Sequence, residues 1–290
     1  MTNKVPVFYD RHQSPPDTES FSPSAGKPAK VIADWLSRPE IADNIEVIGF
    51  DQIEEATIGK AHHPYYVAKV LNLSINNGFG NKDADTATSL MYTTASVLAA
   101  AEYAIEHQAH TCSPTSGFHH AGYEFGGGFC TFNGLMIAAV SLHDSGHAKT
   151  IGILDLDAHF GNGSADIIKR KKIDYVKHFS AGAEFISLSD VGHRGKFYFA
   201  WLEKAIDTLQ SCDVILCQLG ADPHFNDPLG GMLTTAEMKK RDFMVFNGFK
   251  GKPLVWTLAG GYQRDASGGI EPVLALHRNS IIECINRSQP

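Results

Sequence analysis

Apolar positions along this chain follow two patterns, short unbroken runs and longer stretches with helical spacing, and the two alternate. Residues 151–154, 213–219 and 254–258 are short apolar runs closed by Gly, Asp or Pro, the pattern of strands buried on both faces, and 46–50 is a further strand candidate. Helical spacing marks 31–36, 61–71, 86–106, 132–147, 196–210, 234–249 and 270–285. The stretch 86–106 is the clearest, with Leu90, Met91, Val97, Leu98, Ala101, Ala104 and Ile105 on one broad face. Ser164 or Asp166 is placed to cap a helix through Ile167 and Ile168. Strands alternating with helices predict an α/β fold: a single-domain, open, mainly parallel sheet flanked by helices. No repeat or linker-like shift divides residues 1–290. Residues 1–30, rich in Pro and Ser, read as an irregular lead-in, 111–128 as a long loop and 185–193 as irregular chain.

Composition adds limits. The chain has 290 residues, 43% hydrophobic and 20% charged, which suits a globular protein with a large core. A net charge of −7 argues against direct nucleic-acid binding through phosphate contacts and leaves open a cationic substrate such as a lysine side chain. The five cysteines, Cys112, Cys130, Cys212, Cys217 and Cys284, form no Cys-x-x-Cys pair and fit a reducing compartment. No stretch reaches the ~20 apolar residues of a membrane span, and the first residues lack a leader pattern, so the cytoplasm is the expected location.

The candidate chemistry gathers behind the run 151–154. Asp155, Asp157 and His159 alternate with Leu156, Ala158 and Phe160, so an extended chain turns two carboxylates and an imidazole to one face until Gly161-Asn162-Gly163 ends the extension. Ligands of open parallel sheets bind beyond the carboxyl ends of strands. Two other predicted strand ends lead to Asp222 and Tyr262, and the His119-His120 loop precedes a helix feeding the first. Asp157, His159 and Asp222 make a three-ligand set that leaves a position for water and substrate; two carboxylates and one imidazole suit zinc or ferrous iron. Of His119 and His120, one can act as general base and the other as electrostatic partner, with Asp155 orienting one imidazole and Asn162 the other. Tyr262, on the Gly260-Gly261 turn, can donate to a developing oxyanion. A turn or a core histidine would explain each group singly; three strand ends loaded together favour one shared site. The pair His62-His63 beside Pro64 reads as structural, and the basic cluster 169–172 as a solvated helix end. Gly161-Asn162-Gly163 is no phosphate loop, since no Lys-Ser/Thr follows. Asp157-Ala158-His159 resembles the metal motif of arginase-like enzymes, but Gly161 stands where a second-manganese Asp is needed, which favours a single metal.

From about residue 60 onward the sequence resembles the histone deacetylase family. The motifs are Gly117-Phe118-His119-His120-Ala121, the run from Gly126 to Asn133, the run from Asp155 to Gly163, Gly220-Ala221-Asp222 and Ala259-Gly260-Gly261-Tyr262. Compact size and Lys240-Arg241-Asp242 are most similar to class IV or bacterial class IV-like members. The resemblance implies an arginase/deacetylase-like fold with zinc on Asp157, His159 and Asp222. It implies His120 as general base and acid, His119 with Asp155 as electrostatic partner, and Tyr262 polarising the carbonyl. Phe129 would line an acyl-lysine tunnel, with the Gly128 carbonyl near its floor. It further implies a potassium ion (K+) near Asp155, Asp157 and His159, a second tunnel aromatic for which Phe179 is the candidate, and an acidic rim residue, Asp83 or Asp85. Phe160 departs from members with a second His there, and Asn162 replaces the dyad Asp of some classes.

The implied function is removal of acetyl or longer acyl groups from lysine side chains of proteins or peptides. The alternatives are an acetylpolyamine amidohydrolase and a non-catalytic acyl-lysine binding module; the second conflicts with the presence of every ligand, both histidines and the tyrosine. Polyamine-selective relatives carry a Glu seven residues after the third metal Asp, where this chain has Leu229, so acyl-lysine in peptides is expected. Long acyl groups need a channel beyond the metal, for which Gly117, Gly126 and Gly127 leave room and Phe118, Phe125 and Met136 are candidate linings; alternatively these glycines only permit turns.

Overall fold

In the computed structural model, which describes residues 4–16, 22–185 and 194–288, strands and helices alternate along the chain. The first third runs β1 (Val5–Phe8), α1 (Lys27–Leu36), α2 (Pro39–Ala42), β2 (Ile45–Ile48), α3 (Glu55–Ile58), α4 (Pro64–Leu71) and α5 (Ala84–His107). The middle runs β3 (His110–Ser113), α6 (Gly134–Asp144), β4 (Ile151–Asp155), α7 (Asn162–Lys171), β5 (Val176–Ser180) and α8 (Ala181–Phe185). The remainder is α9 (Arg194–Leu209), β6 (Val214–Gln218), α10 (Thr235–Gly248), β7 (Leu254–Thr257) and α11 (Glu271–Ser288).

The strands form one seven-stranded sheet in the order β2-β1-β3-β7-β6-β4-β5. Its pairings are all parallel, as expected of an α/β chain. β4 and β6 are buried along their whole length, because helices cover both faces. One core, around Trp35, Phe246 and Trp256, fills one face; the other holds Val97, Phe132, Leu135 and Met136. The order places the carboxyl ends of β3, β7, β6 and β4 side by side. The loops after these four strands carry the candidate chemistry.

Three strands differ from the sequence expectation. The lead-in is not irregular throughout: Val5–Phe8 is a buried strand between β2 and β1's other neighbour β3. Pro6 disguises it, yet costs little. Val5 N–H donates to Asn44 O at 2.9 Å, so alternate N–H groups face β2 and the missing one faces β3, where pairing is limited to Val7 and Cys112. β3 lies inside the expected long loop. Its His-Thr-Cys-Ser sequence shows no apolar pattern because its hydroxyls are satisfied internally: Thr111 Oγ1 donates to Ala100 O at 3.0 Å, and Ser113 Oγ is 2.7 Å from Ser96 Oγ. β5 is an edge strand, half polar, and so also lacks the pattern. Residues 186–193 of the expected irregular segment lie outside the described residues.

All five cysteines are buried and unpaired. Among the described residues no helix is long and apolar enough to cross a membrane.

Inside the molecule, α10 braces β6. Arg241, 1% exposed, donates to Asp242 Oδ1 at 2.8 Å through Nε and to Gly220 O at 2.6 Å through Nη1, while Ser280 Oγ donates to Asp242 Oδ2 at 2.6 Å. Removing one partner strands a buried charge. Arg241→Ala should therefore lower unfolding free energy in urea by about 3–5 kcal/mol; a loss below about 1 kcal/mol, the value of an exposed pair, would show that the pair is solvated.

Candidate active site

β4 delivers Asp155 at its end, and the bend after it carries Asp157 and His159. β6 delivers Asp222 from the adjacent loop. One candidate ligand atom from each of Asp157, His159 and Asp222 lies within 4.8 Å of the others. His159 Nδ1 is 3.0 Å from Asp157 Oδ1 and 2.9 Å from Asp222 Oδ2. Both carboxylates are buried, and Asp222 Oδ1 has no hydrogen-bond partner. Burial and the neighbouring Asp157 push Asp222 well above the usual carboxylate range. A divalent cation held by these three residues would offset that repulsion, and the unpartnered Asp222 oxygen shows capacity for one, so the residues present fit a single metal ion.

The two histidines after β3 sit in different environments. His119 is buried, and its Nδ1–H donates to Asp155 Oδ2 at 2.7 Å; Asp157 Oδ1 lies 3.7 Å from Nε2. Burial alone would lower its pKa, but Asp155 and Asp157 outweigh it and lift the value to about 9. His120 donates through Nδ1 to Asn162 Oδ1 at 2.6 Å, leaving Nε2 as its basic nitrogen. Burial and the charge on His119 lower its pKa. Neighbouring rings, 4.1 Å apart at their centroids, are thus driven in opposite directions, one kept charged and one neutral. Gly128, with φ +53°, makes room: a Cβ there would meet His120 Cδ2 at 2.4 Å.

The turn after β7 closes the site. Gly260 N–H donates to Asp157 Oδ2 at 2.9 Å, and a Cβ on Gly260 would stand 2.7 Å from both Asp157 Oδ2 and Asp222 Cγ. Tyr262 N–H donates to Asp227 Oδ2 at 2.7 Å. Burial and the nearby carboxylates raise the Tyr262 pKa, so its phenol stays a donor. Its ring meets His159 edge-on at 6.5 Å and Phe129 at 6.0 Å. Phe79 backs Phe129 at 6.1 Å.

Sequence reasoning missed several supports. Gln218 Nε2 and Ser180 Oγ both reach Asp155, each at 3.3 Å. Lys27 is fully buried, donates to the Ala259 carbonyl, and has its pKa lowered to about 8 by burial against the pull of Asp222 and Asp157. It lies in the Pro/Ser-rich lead-in, where no pattern marks it. Gln218 ends an apolar run, the one signal that was available.

Other expected residues fall elsewhere. Phe179, partly buried, packs against the core on Trp201 at 6.4 Å, because β5 turns it toward α9. Asp83 caps α5 by accepting from Thr86 N–H at 2.6 Å, and Asp85 is exposed in the first turn of the same helix. Leu229 is exposed on the loop that carries Asp222. His62 is structural: Nδ1 donates to Gly122 O, and Asn133 N–H donates to Nε2, both at 2.8 Å. A crevice of about 30 Å³ lies behind Phe129, lined in part by Ser116, Gly117, Phe118 and Phe132. Of the expected channel residues Gly117 and Phe118 border it, whereas Met136 is packed inside α6 and Phe125 is exposed.

Comparison with known proteins gives the following. The Histone deacetylase domain profile matches residues 23–185. Acetylpolyamine amidohydrolase of Mycoplana ramosa is 31% identical over 179 residues, 52% of this chain and 50% of that one. Histone deacetylase 15 of Arabidopsis thaliana is 28% identical over 170 residues, 50% of this chain and 31% of that one. The chain thus spans half or less of the length of these curated relatives. The crystal structure of the HDA15 HD domain superposes with a TM-score of 0.80 at 18% identity, covering 100% of this chain and 90% of that one, which shows a shared fold.

The ligand set makes a direct prediction. The purified protein should bind one equivalent of divalent metal, and Asp222→Asn should weaken that binding on the order of 100-fold or more, since even outer partners of a metal ligand contribute 10–100-fold. Equilibrium dialysis with metal analysis reads both; two tightly bound equivalents would contradict a single-metal site.

Proposed function

The chain belongs to the histone deacetylase domain family, and from that premise we propose that it is a zinc-dependent hydrolase removing acetyl groups from lysine side chains in proteins or peptides. Membership in that family supports a hydrolase of amide-linked acyl groups; the activity, the lysine substrate, the ion and the residue roles are our reading. The convergence of the Asp157–His159–Asp222 cluster with two differently tuned histidines carries that reading.

In this reading Asp157, His159 and Asp222 hold the ion. When bound, zinc or ferrous iron supplies Lewis acidity toward the amide carbonyl and lowers the pKa of water. A potassium ion near Asp155, Asp157 and His159 belongs to the same proposal. Neutral His120 accepts a proton from the attacking water at Nε2 and passes it to the leaving amine. Asn162 fixes the tautomer that leaves Nε2 free. His119, held protonated by Asp155, contributes fixed positive charge to a step that develops negative charge. Tyr262 donates its phenolic proton in a hydrogen bond to the carbonyl oxygen as charge builds there. Phe129 and the Gly128 backbone border the acyl-lysine stem.

The acetylpolyamine reading has support in the name of the Mycoplana ramosa relative. Leu229, exposed and apolar, gives a second substrate cation no partner at its position, which favours peptide lysine. A metal-loaded Tyr262→Phe variant should hydrolyse an acetyl-lysine peptide on the order of 100-fold more slowly, the effect of losing an oxyanion donor, and His120→Ala should be slowed by about 100-fold or more. Near-normal turnover in either variant, or higher kcat/KM for acetylspermidine than for every acetyl-lysine peptide tried, would reject the corresponding part of the reading.

Acyl length follows from the crevice. A space of about 30 Å³ holds roughly one or two waters and not a long alkyl chain. Catalytic efficiency on one peptide should therefore fall from acetyl to octanoyl; a rise along the series would show that the crevice opens.

A further inference from the structure

The sheet has a second end, away from the candidate catalytic loops. At the amino ends of β1, β3 and β7 lies a cleft of about 440 Å³. All three strands run parallel, so this cleft and the loops after β3 and β7 lie at opposite ends of the same strands. Among the described residues, the cleft lining includes the permanent cations Lys4, Lys250 and Arg287 and the histidines His107 and His110, and no carboxylate. That is a local reversal of sign in a chain of net charge −7.

Two of these groups are left with unused polar atoms. His110 is only 6% exposed; its Nε2–H donates to Phe249 O at 2.9 Å, while Nδ1 has no partner. Arg287 Nε is likewise buried without a hydrogen bond. The carboxylate nearest to it, Glu283 Oε2, stands 3.8 Å away, and the guanidinium lies over the Phe243 ring at 4.6 Å. Neither contact is a hydrogen bond. His107 and Tyr103, with ring centroids 4.0 Å apart, add an aromatic wall; the Glu106 carboxylate, 4.0 Å from His107 Nε2, is itself exposed. Buried polar atoms without partners are rare because each forfeits its hydration.

We propose that this cleft is a binding site for a small phosphate-bearing molecule. Phosphate oxygens accept from the ammonium and guanidinium groups. A monoprotonated phosphate also has a P–OH that donates to the His110 Nδ1 lone pair, a match that a fully ionised carboxylate lacks. The volume falls in the range of roughly 300–1,000 Å³ typical of small-molecule sites. An extended nucleic-acid backbone would need basic groups spread over a surface, whereas here they converge in a concavity.

The test uses the full chain loaded with metal, with inorganic pyrophosphate as probe, by calorimetric titration at fixed ionic strength. One saturable site is expected, weakened about tenfold or more in both Lys250→Glu and Lys4→Glu, as expected for loss of a charge-assisted contact. Both lysines are exposed and remote from the candidate catalytic groups, so turnover of an acetyl-lysine peptide should be unchanged. Absence of saturable binding would overturn the proposal. So would equal affinity in wild type and both variants, which would place the anion at the metal ligands. Binding to phosphatidic acid vesicles without binding to pyrophosphate would overturn it too, assigning the cleft to a membrane surface.

Discussion

Asp157 and Asp222 are held side by side with almost no access to water, and most of the site can be understood as a response to that repulsion. Two desolvated carboxylates in contact are unstable without a cation. The protein supplies partial compensation: His159 Nδ1 between them, the Gly260 N–H on Asp157, the charged His119 behind Asp157 and the buried Lys27 beneath the Ala259–Tyr262 turn. None of these satisfies Asp222 Oδ1. A cation bound by Asp157, His159 and Asp222 would supply the missing charge. Arg241 holds Gly220, two residues before Asp222, so the cost of keeping that carboxylate in place is spread into the core between β6 and α10.

The same field sorts the histidines. One lies against Asp155 and Asp157 and is kept protonated; the next, one residue on, faces a neutral amide and a cationic neighbour and is kept neutral. Adjacent positions in a tight loop point their rings to different partners, and this turns a His-His pair into two distinct groups. Which protonation state each carries follows from the partner each meets, rather than from the residue type.

The polar residues at strand ends were legible before the fold was known, because Asp155, Asp157, Asp222 and Tyr262 each follow an apolar run long enough to mark a strand. Their convergence depends on strand order, which periodicity does not encode: β7 enters between β3 and β6 although it is the last strand in the chain. β3 stayed hidden because its buried hydroxyls pair with one another and with α5, so no apolar alternation was needed. Lys27 stayed hidden for the opposite reason, a charge expected at the surface that burial holds beneath the site. Phe179 was misplaced because an edge strand shows only one of its faces to the core, and sequence alone did not say which.

If the paired carboxylates exist to hold a catalytic ion, hydrolysis must follow occupancy of that position. The direct measurement strips the protein with a chelator and follows hydrolysis of an acetyl-lysine peptide as Zn2+ or Fe2+ is titrated back. The account predicts loss of turnover on stripping and a linear return that levels off at about one equivalent of metal per chain. Turnover that survives complete removal of metal, or that returns only beyond one equivalent, would contradict it.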